Sequence, residues 1–232
     1  MIKKVLILGG SSDIGLELAK KFLDKKDYKV TLHYHSNSKI IKNLKHKCEL
    51  IKADFSTVNS QSIIKRFDNN YDIIVNLVGY ISGKSFDEFT LKSLEKTLRV
   101  NSILPMLIIK KSLKKMIKKN WGRILNSSSV GVKFGGGHKT FEYSLSKYLN
   151  EFIPCYFKKI SSKNVFYNTL RIGLTDTKLH KKIPNKDLIK RIQFVPTKKM
   201  ATPRDISNYI YYIVSDENQF ITNEAINICG GE

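Results

Sequence analysis

The sequence predicts an α/β fold: a doubly wound parallel sheet in a single domain over residues 1–232. Three observations lead there. Apolar runs of strand length recur along the chain with helix-periodic segments between them, and parallel strands need such crossovers. The first run, Val5 to Leu8, empties into a glycine turn that opens a helix. Much later a strand ends in Ser127, Ser128 and Ser129, and the helix after it carries Tyr143 and Lys147.

In chain order, Val5 to Leu8 leads into Gly9-Gly10-Ser11-Ser12-Asp13-Ile14-Gly15, and Ile14 to Leu23 has helical periodicity. Strand, glycine turn and helix start together suit a diphosphate: glycines admit close approach, and the helix start offers free N–H groups and a positive dipole. A second strand, Lys29 to Tyr34, runs into His35-Ser36-Asn37-Ser38. An adenosine ribose would meet this strand end, where a carboxylate selects NAD; none occurs before Glu49, which favours NADP(H) and leaves NAD(H) open. His33 and His35 read equally well as surface residues, and they complete no metal-ligand set.

Lys39 to Lys47 reads as helix, Glu49 to Asp54 as the third strand, and Ile63 to Phe67 as part of another helix. Asp72 to Asn76 is a fourth apolar strand running into Leu77-Val78-Gly79. The amphipathic stretch Phe86 to Val100 reaches Asn101, and Ile103 to Lys119 is a second long helix with a kink expected at Pro105. Trp121 to Asn126 is the fifth strand and delivers the three serines. Gly135-Gly136-Gly137 forms a loop before the helix of Tyr143, and Val165 to Leu170 is a sixth strand ending at Ile172-Gly173.

Composition bounds the function. A chain of 232 residues is most simply one domain, burying about three quarters of its unfolded surface. No apolar run approaches the ~18 residues of a membrane span, and the short apolar start reads as a strand rather than a signal peptide. Cys48, Cys155 and Cys229 are odd in number and lack C-x-x-C spacing, as expected of a cytoplasmic protein with reduced thiols. Basic residues number 41 against 20 acidic, a formal +21 spread over lysine pairs such as Lys110-Lys111 and Lys114-Lys115. That excess fits either attraction to anionic substrates or a solvated lysine-rich surface. No aromatics interleave with the basic runs, so nucleic acid is not the expected partner.

Tyr143 and Lys147 are i and i+4, on one face of a helix. A free tyrosine with a pKa near ~10 shuttles protons poorly at neutral pH, and an ammonium one turn away would lower that pKa. A serine hydroxyl from a strand end, Ser129, could hold the same substrate oxygen.

These motifs, in this order, resemble the short-chain dehydrogenase/reductase family from Lys4 to Gly231, which implies a Rossmann-like sheet. The resemblance aligns the family's glycine motif with Gly9 to Gly15, its adenine-side aspartate with Asp54, and its Asn-Asn-Ala-Gly with Asn76 to Gly79. The catalytic tetrad aligns with Asn101, Ser129, Tyr143 and Lys147, the segment after the sixth strand with Ile172-Gly173 and Thr177, and the closing motif with Cys229-Gly230-Gly231. Departures are Leu8, Asp13 in place of the middle glycine, Ser12 where NADP-preferring members often carry Arg or Lys, Leu77-Val78, and Ile172 for proline.

The resemblance implies carbonyl–alcohol interconversion by direct hydride transfer. Tyr143 would move the proton, Ser129 hold the oxygen, Lys147 bind the nicotinamide ribose while lowering the Tyr143 pKa, and Asn101 hold a relay water. The cofactor would rest on Gly9, Ser11, Ser12, Asp13, Ile14, Gly15, Tyr34, His35, Ser36, Asp54, Asn76, Gly79, Gly173, Thr175 and Thr177, besides Tyr143 and Lys147. The family also implies a homotetramer or homodimer pairing helices around 86–119 and 141–160. A basic lid at 176–199, with Lys178, His180, Lys181, Lys182, Lys186, Lys190, Arg191, Lys198 and Lys199, favours an anionic substrate. The first expectation is a phosphorylated or nucleotide-linked sugar of a bacterial surface-sugar pathway. The alternatives are a 3-oxoacyl-[acyl-carrier-protein] reductase and, in another class, a non-catalytic dinucleotide-binding regulator.

Overall fold

In the computed structural model, which describes residues 2–36, 43–183 and 187–232, seven strands form one sheet in the order β3-β2-β1-β4-β5-β6-β7. They are β1 (Lys3–Leu8), β2 (Tyr28–Tyr34), β3 (Glu49–Lys52), β4 (Ile73–Asn76), β5 (Gly122–Ser129), β6 (Val165–Ile172) and β7 (Ala225–Ile228). Every pairing is parallel. The described α-helices are α1 (Asp13–Leu23), α2 (Ser60–Lys65), α3 (Leu91–Leu98), α4 (Leu104–Lys119), α5 (Phe141–Leu149), α6 (Cys155–Ile160), α7 (Leu188–Gln193) and α8 (Pro203–Val214).

Alternation along the strands divides the apolar residues between two faces. Val5 and Ile7 share one core with Leu18 and Phe22 of α1 and Ile206 and Ile210 of α8. Leu6 and Leu8 share the other with Ile108 and Met116 of α4 and Phe157 of α6. Strand order reverses between β1 and β4, so the loops after these strands diverge and leave a crevice above their C-terminal ends.

Several expected boundaries move, each for a local reason. Helix does not begin near Phe86: Thr90 and Ser93 form a reciprocal capping box that starts α3 at Leu91. At Pro105 the chain makes a π turn, Arg99–Ile103, and runs on into α4 with the proline in its first turn. The helix of Tyr143 does not reach residue 160. It stops at Leu149: Pro154 has no N–H for the Asn150 carbonyl four residues back, which accepts from Thr169 Oγ1 instead, and α6 restarts at Cys155.

Besides α7 in the lid segment, two elements lie where the sequence reading assigns none. Thr202 caps α8 with Asp205, and the four residues of β7 pair with β6 through Thr169↔Ala225. Of the helix expected over Lys39 to Lys47, residues 39–42 lie outside the described residues. Residues 43–47 form turns in which the Lys47 and Cys48 N–H groups donate to the Leu44 carbonyl. Among the described residues no helix is long and apolar enough to cross a membrane, and no cluster of three or more His, Cys, Asp or Glu could hold a metal ion.

Candidate active site

The crevice has a volume of about 1410 Å³ and is lined from His35, Ser36 and Asp54 at one side to Ser129, Tyr143, Leu179 and Phe194 at the other. Its glycine turn is built by exclusion. Gly9 has φ +75°, and a Cβ there would lie 2.9 Å from the Leu77 carbonyl carbon. A Cβ on Gly15 would lie 2.7 Å from the Gly9 oxygen, so Gly15 lets α1 pack under the turn and does not itself line the crevice. Ser12 caps α1 by accepting from the Gly15 N–H at 3.1 Å, and Ser11, Ser12, Asp13 and Ile14 all line the opening.

Beside the turn, His33 is buried rather than exposed. The Gly9 N–H donates to its Nδ1 at 3.2 Å, Nε2 lies 3.0 Å from the Ala53 carbonyl, and its ring stacks on Phe55 at 4.1 Å. Burial pushes its pKa down to about 4. The imidazole is therefore neutral, with its proton on Nε2 toward Ala53, and it fastens the glycine turn to the end of β3. Period-2 alternation then turns Tyr34 the other way, against the Val5 and Ile7 core, so that it does not line the crevice.

His35 and Ser36 do line the crevice, with His35 Nε2 3.5 Å from Asp54 Oδ2. Burial alone would raise the Asp54 pKa, but hydrogen bonds from Ser56, reinforced by His35 and Lys96, hold it below the usual carboxylate range. Lys96, also in the lining, is a residue that no sequence motif marked.

At the catalytic end, Asn76 and Asn101 support the floor without lining the crevice. Asn76 Nδ2 donates to Asn126 Oδ1 at 3.0 Å and to the Asn101 carbonyl at 3.3 Å, while its Oδ1 accepts from the Val78 N–H. Asn101 Oδ1 accepts from the Tyr80 N–H at 2.7 Å, and its Nδ2 donates to the Tyr80 carbonyl and to Ser146 Oγ. Its backbone carbonyl accepts from Asn76 and from Asn150, each at 3.3 Å. In this arrangement Asn101 is a brace for the loop after β4.

Ser129, at the end of β5, accepts from the Gly131 N–H at 3.2 Å and lies near enough to Tyr143 to favour its ionised form. Lys147 donates to the Val78 carbonyl at 2.8 Å, to Ser127 Oγ at 2.9 Å and to the Ser127 carbonyl at 3.1 Å, which uses all three ammonium hydrogens. Burial lowers its pKa to about 7. Its Nζ stands 5.6 Å from the Tyr143 ring centre. Burial pushes the Tyr143 phenol up to about 12, against the opposing influence of Ser129. The expected lowering of Tyr143 by Lys147 is thus absent here, because the ammonium is directed at the Val78 and Ser127 oxygens. Three further residues support the site without a role assigned to them from the sequence. Ser127 and Asn150 meet at the Ser127 carbonyl. Glu142 is buried beside Tyr143 and accepts from Ser82 and from Ser93 Oγ.

After β6, a Cβ on Gly173 would lie 2.6 Å from the Cys229 Cα, so this glycine lets the two strand ends meet. Gly173, Thr175 and Thr177 line the crevice. Several lid cations have partners within the protein: Lys178 with Asp13, and Arg191 with Glu232 at 2.5 Å. Lys186 lies outside the described residues. The lining fits a dinucleotide: it joins the helix start of α1 to the Ser129–Tyr143 pair. Gly79 leaves a hollow in which a Cβ would lie 3.8 Å from Tyr143 and Leu179.

Comparison with known proteins agrees with this geometry. A family profile described as Enoyl-(Acyl carrier protein) reductase matches residues 9–232. The chain is 31% identical over 186 residues to the 3-oxoacyl-[acyl-carrier-protein] reductase FabG of Aquifex aeolicus, covering 77% of this chain and 75% of that protein. It is 24% identical to FabG of Buchnera aphidicola subsp. Schizaphis graminum, covering 99% and 87%. The solved structure of ElxO Y152F with NADPH bound is 25% identical and superposes with a TM-score of 0.82 over 100% of this chain and 98% of that one. A reversed-order parallel sheet, a glycine turn over its switch point, and relatives matched along most of the chain place this protein in the short-chain dehydrogenase/reductase family.

Proposed function

We propose that the protein is an NADPH-dependent reductase of a 3-oxoacyl thioester, with the acyl group carried on an acidic carrier protein or a related anionic carrier. The observation that carries the substrate class is the apolar part of the lining that Ser129 and Tyr143 share: Ile81, Phe134, Leu179, Ile183 and Phe194 line the same crevice. An acyl chain gains from such a surface, whereas a sugar ring needs converging hydrogen-bond partners. The relatives' names support this reading over the nucleotide-sugar reading. NADP(H) is favoured by the strand end at His35 and Ser36, which carries no carboxylate, and by the ElxO complex; NAD(H) remains open.

When bound, the dinucleotide supplies the hydride. The chain's own groups then act on the substrate oxygen. Ser129 holds it, and Tyr143, whose raised pKa keeps it protonated across the working range, donates the proton as negative charge develops. Lys147 and Asn101 position these groups, and Lys147 is placed to meet a ribose once it leaves the Ser127 hydroxyl. A purely regulatory binder would have no use for a serine, tyrosine and lysine converging at one place.

A homo-oligomer joined through α4 and α5 fits the exposure of Ile103, Tyr148, Leu149 and Phe152. A cytoplasmic setting fits three unpaired cysteines. The deciding experiment follows NADPH consumption with acetoacetyl thioesters and with a panel of nucleotide-linked keto-sugars. Turnover confined to the sugars, or to neither, overturns the reading.

A further inference from the structure

Asp13 stands where the family motif has its middle glycine, so this chain carries a carboxylate in the turn that the cofactor diphosphate approaches. Asp13 Oδ2 accepts from the backbone N–H of Lys178 at 2.8 Å, and Oδ1 lies 3.7 Å from Lys178 Nζ. Lys178 opens the 3₁₀ turn Lys178–Lys182, so Asp13 binds the start of the lid to the start of α1. The lid's root is fixed separately, by the Asp176 N–H donating to the Ala201 carbonyl and by the Thr175↔Ala201 bridge. Asp13 and Lys178 both line the crevice beside Ser11, Ser12 and Thr177, and both keep exposed surface there. The nearby Glu17 is paired with Lys20, and among the described residues Lys178 is the cation paired with Asp13.

We infer that Asp13 and Lys178 form a charge-balanced anchor at the diphosphate site, a cofactor-affinity determinant added by this chain. Asp13 holds the lid over the turn. Lys178 cancels the carboxylate that would otherwise repel the diphosphate. Without Lys178, a bound diphosphate would face one more negative charge at a helix start that otherwise attracts anions. Without the Asp13 charge, the ammonium would be free to act on the diphosphate. The inference rests on the dinucleotide reading of the crevice, and its test uses binding and lid accessibility rather than turnover.

NADPH is titrated by fluorescence against wild type, Asp13→Asn, Lys178→Met and the double variant. One charge about 4 Å away in water changes affinity about fivefold. Lys178→Met is expected to raise Kd by about that factor, Asp13→Asn to lower it, and the double variant to return close to wild type. Adenosine 2′-monophosphate, which lacks the diphosphate, should bind all four alike. In cofactor-free protein, trypsin should cut the lid faster in Asp13→Ala. Asp13→Asn, whose amide oxygen still accepts from the Lys178 N–H, should resemble wild type. Weaker NADPH binding by Asp13→Asn, a double variant as weak as Lys178→Met, or equal shifts with the monophosphate overturn the charge balance. An unchanged cleavage rate in Asp13→Ala overturns the anchor. Wild-type protein that binds neither NADPH nor NADH overturns the dinucleotide reading itself, an outcome distinct from these.

Discussion

The Asn101 carbonyl lies four residues before Pro105, which has no N–H to donate to it. The carbonyl accepts instead from the side chains of Asn76 and Asn150. A proline in the first turn of α4 thereby leaves a backbone acceptor for the ends of β4 and α5. Asn101→Ala strips the partners from both the Tyr80 N–H and the Tyr80 carbonyl, beside the catalytic end of the crevice. Two lost bonds of this kind cost about 1–3 kcal/mol each where the freed groups stay dry. The urea midpoint should fall accordingly, and an unchanged midpoint would refute the brace.

Tyr143→Phe keeps the ring and removes the proton donor. Turnover on an established substrate should fall by ~10²–10⁴, while NADPH affinity stays near that of wild type. Near-normal turnover would remove Tyr143 from the mechanism.

His33 makes folding stability depend on pH. Its folded pKa, about 4, is below the ordinary 6.5, so the unfolded chain binds the proton more tightly. The stability it contributes is complete above pH 6.5 and is lost as pH falls through 4, about 3 kcal/mol in all for a shift of this size. Denaturant titrations between pH 7 and pH 4 should show that loss in wild type and a smaller one in His33→Gln. Equal slopes would mean that other groups carry the acid sensitivity.

Cofactor choice should turn on Ser36. Tyr34 packs into the core, whereas His35 and Ser36 line the crevice, so a carboxylate placed at residue 36 meets a 2′-phosphate. Ser36→Asp should weaken NADPH by about fivefold or more while sparing NADH, as expected for one added charge at about 4 Å in water. A wild-type preference for NADH would count against the NADP assignment from the outset.

Hydrophobic period and turn residues alone determined much of this protein. The alternation of apolar runs with helical segments set the parallel sheet, and Gly9 to Gly15 set its ligand-binding turn. The spacing of Ser129, Tyr143 and Lys147 brought them to one end of the crevice, where the proposed proton transfer would take place. Those features are local, and local sterics and periodicity write them directly into residue order. Tertiary structure decided the rest, because it depends on which side of a strand faces which neighbour. His33 and Tyr34 are adjacent in sequence, yet one fastens the glycine turn and the other packs into the core. The Lys147 ammonium lies one turn from Tyr143 but is directed at oxygens of Val78 and Ser127, brought there by β4 and β5. The pairing of Asp13 with Lys178, 165 residues apart, exists only because the lid folds back over the first turn of α1.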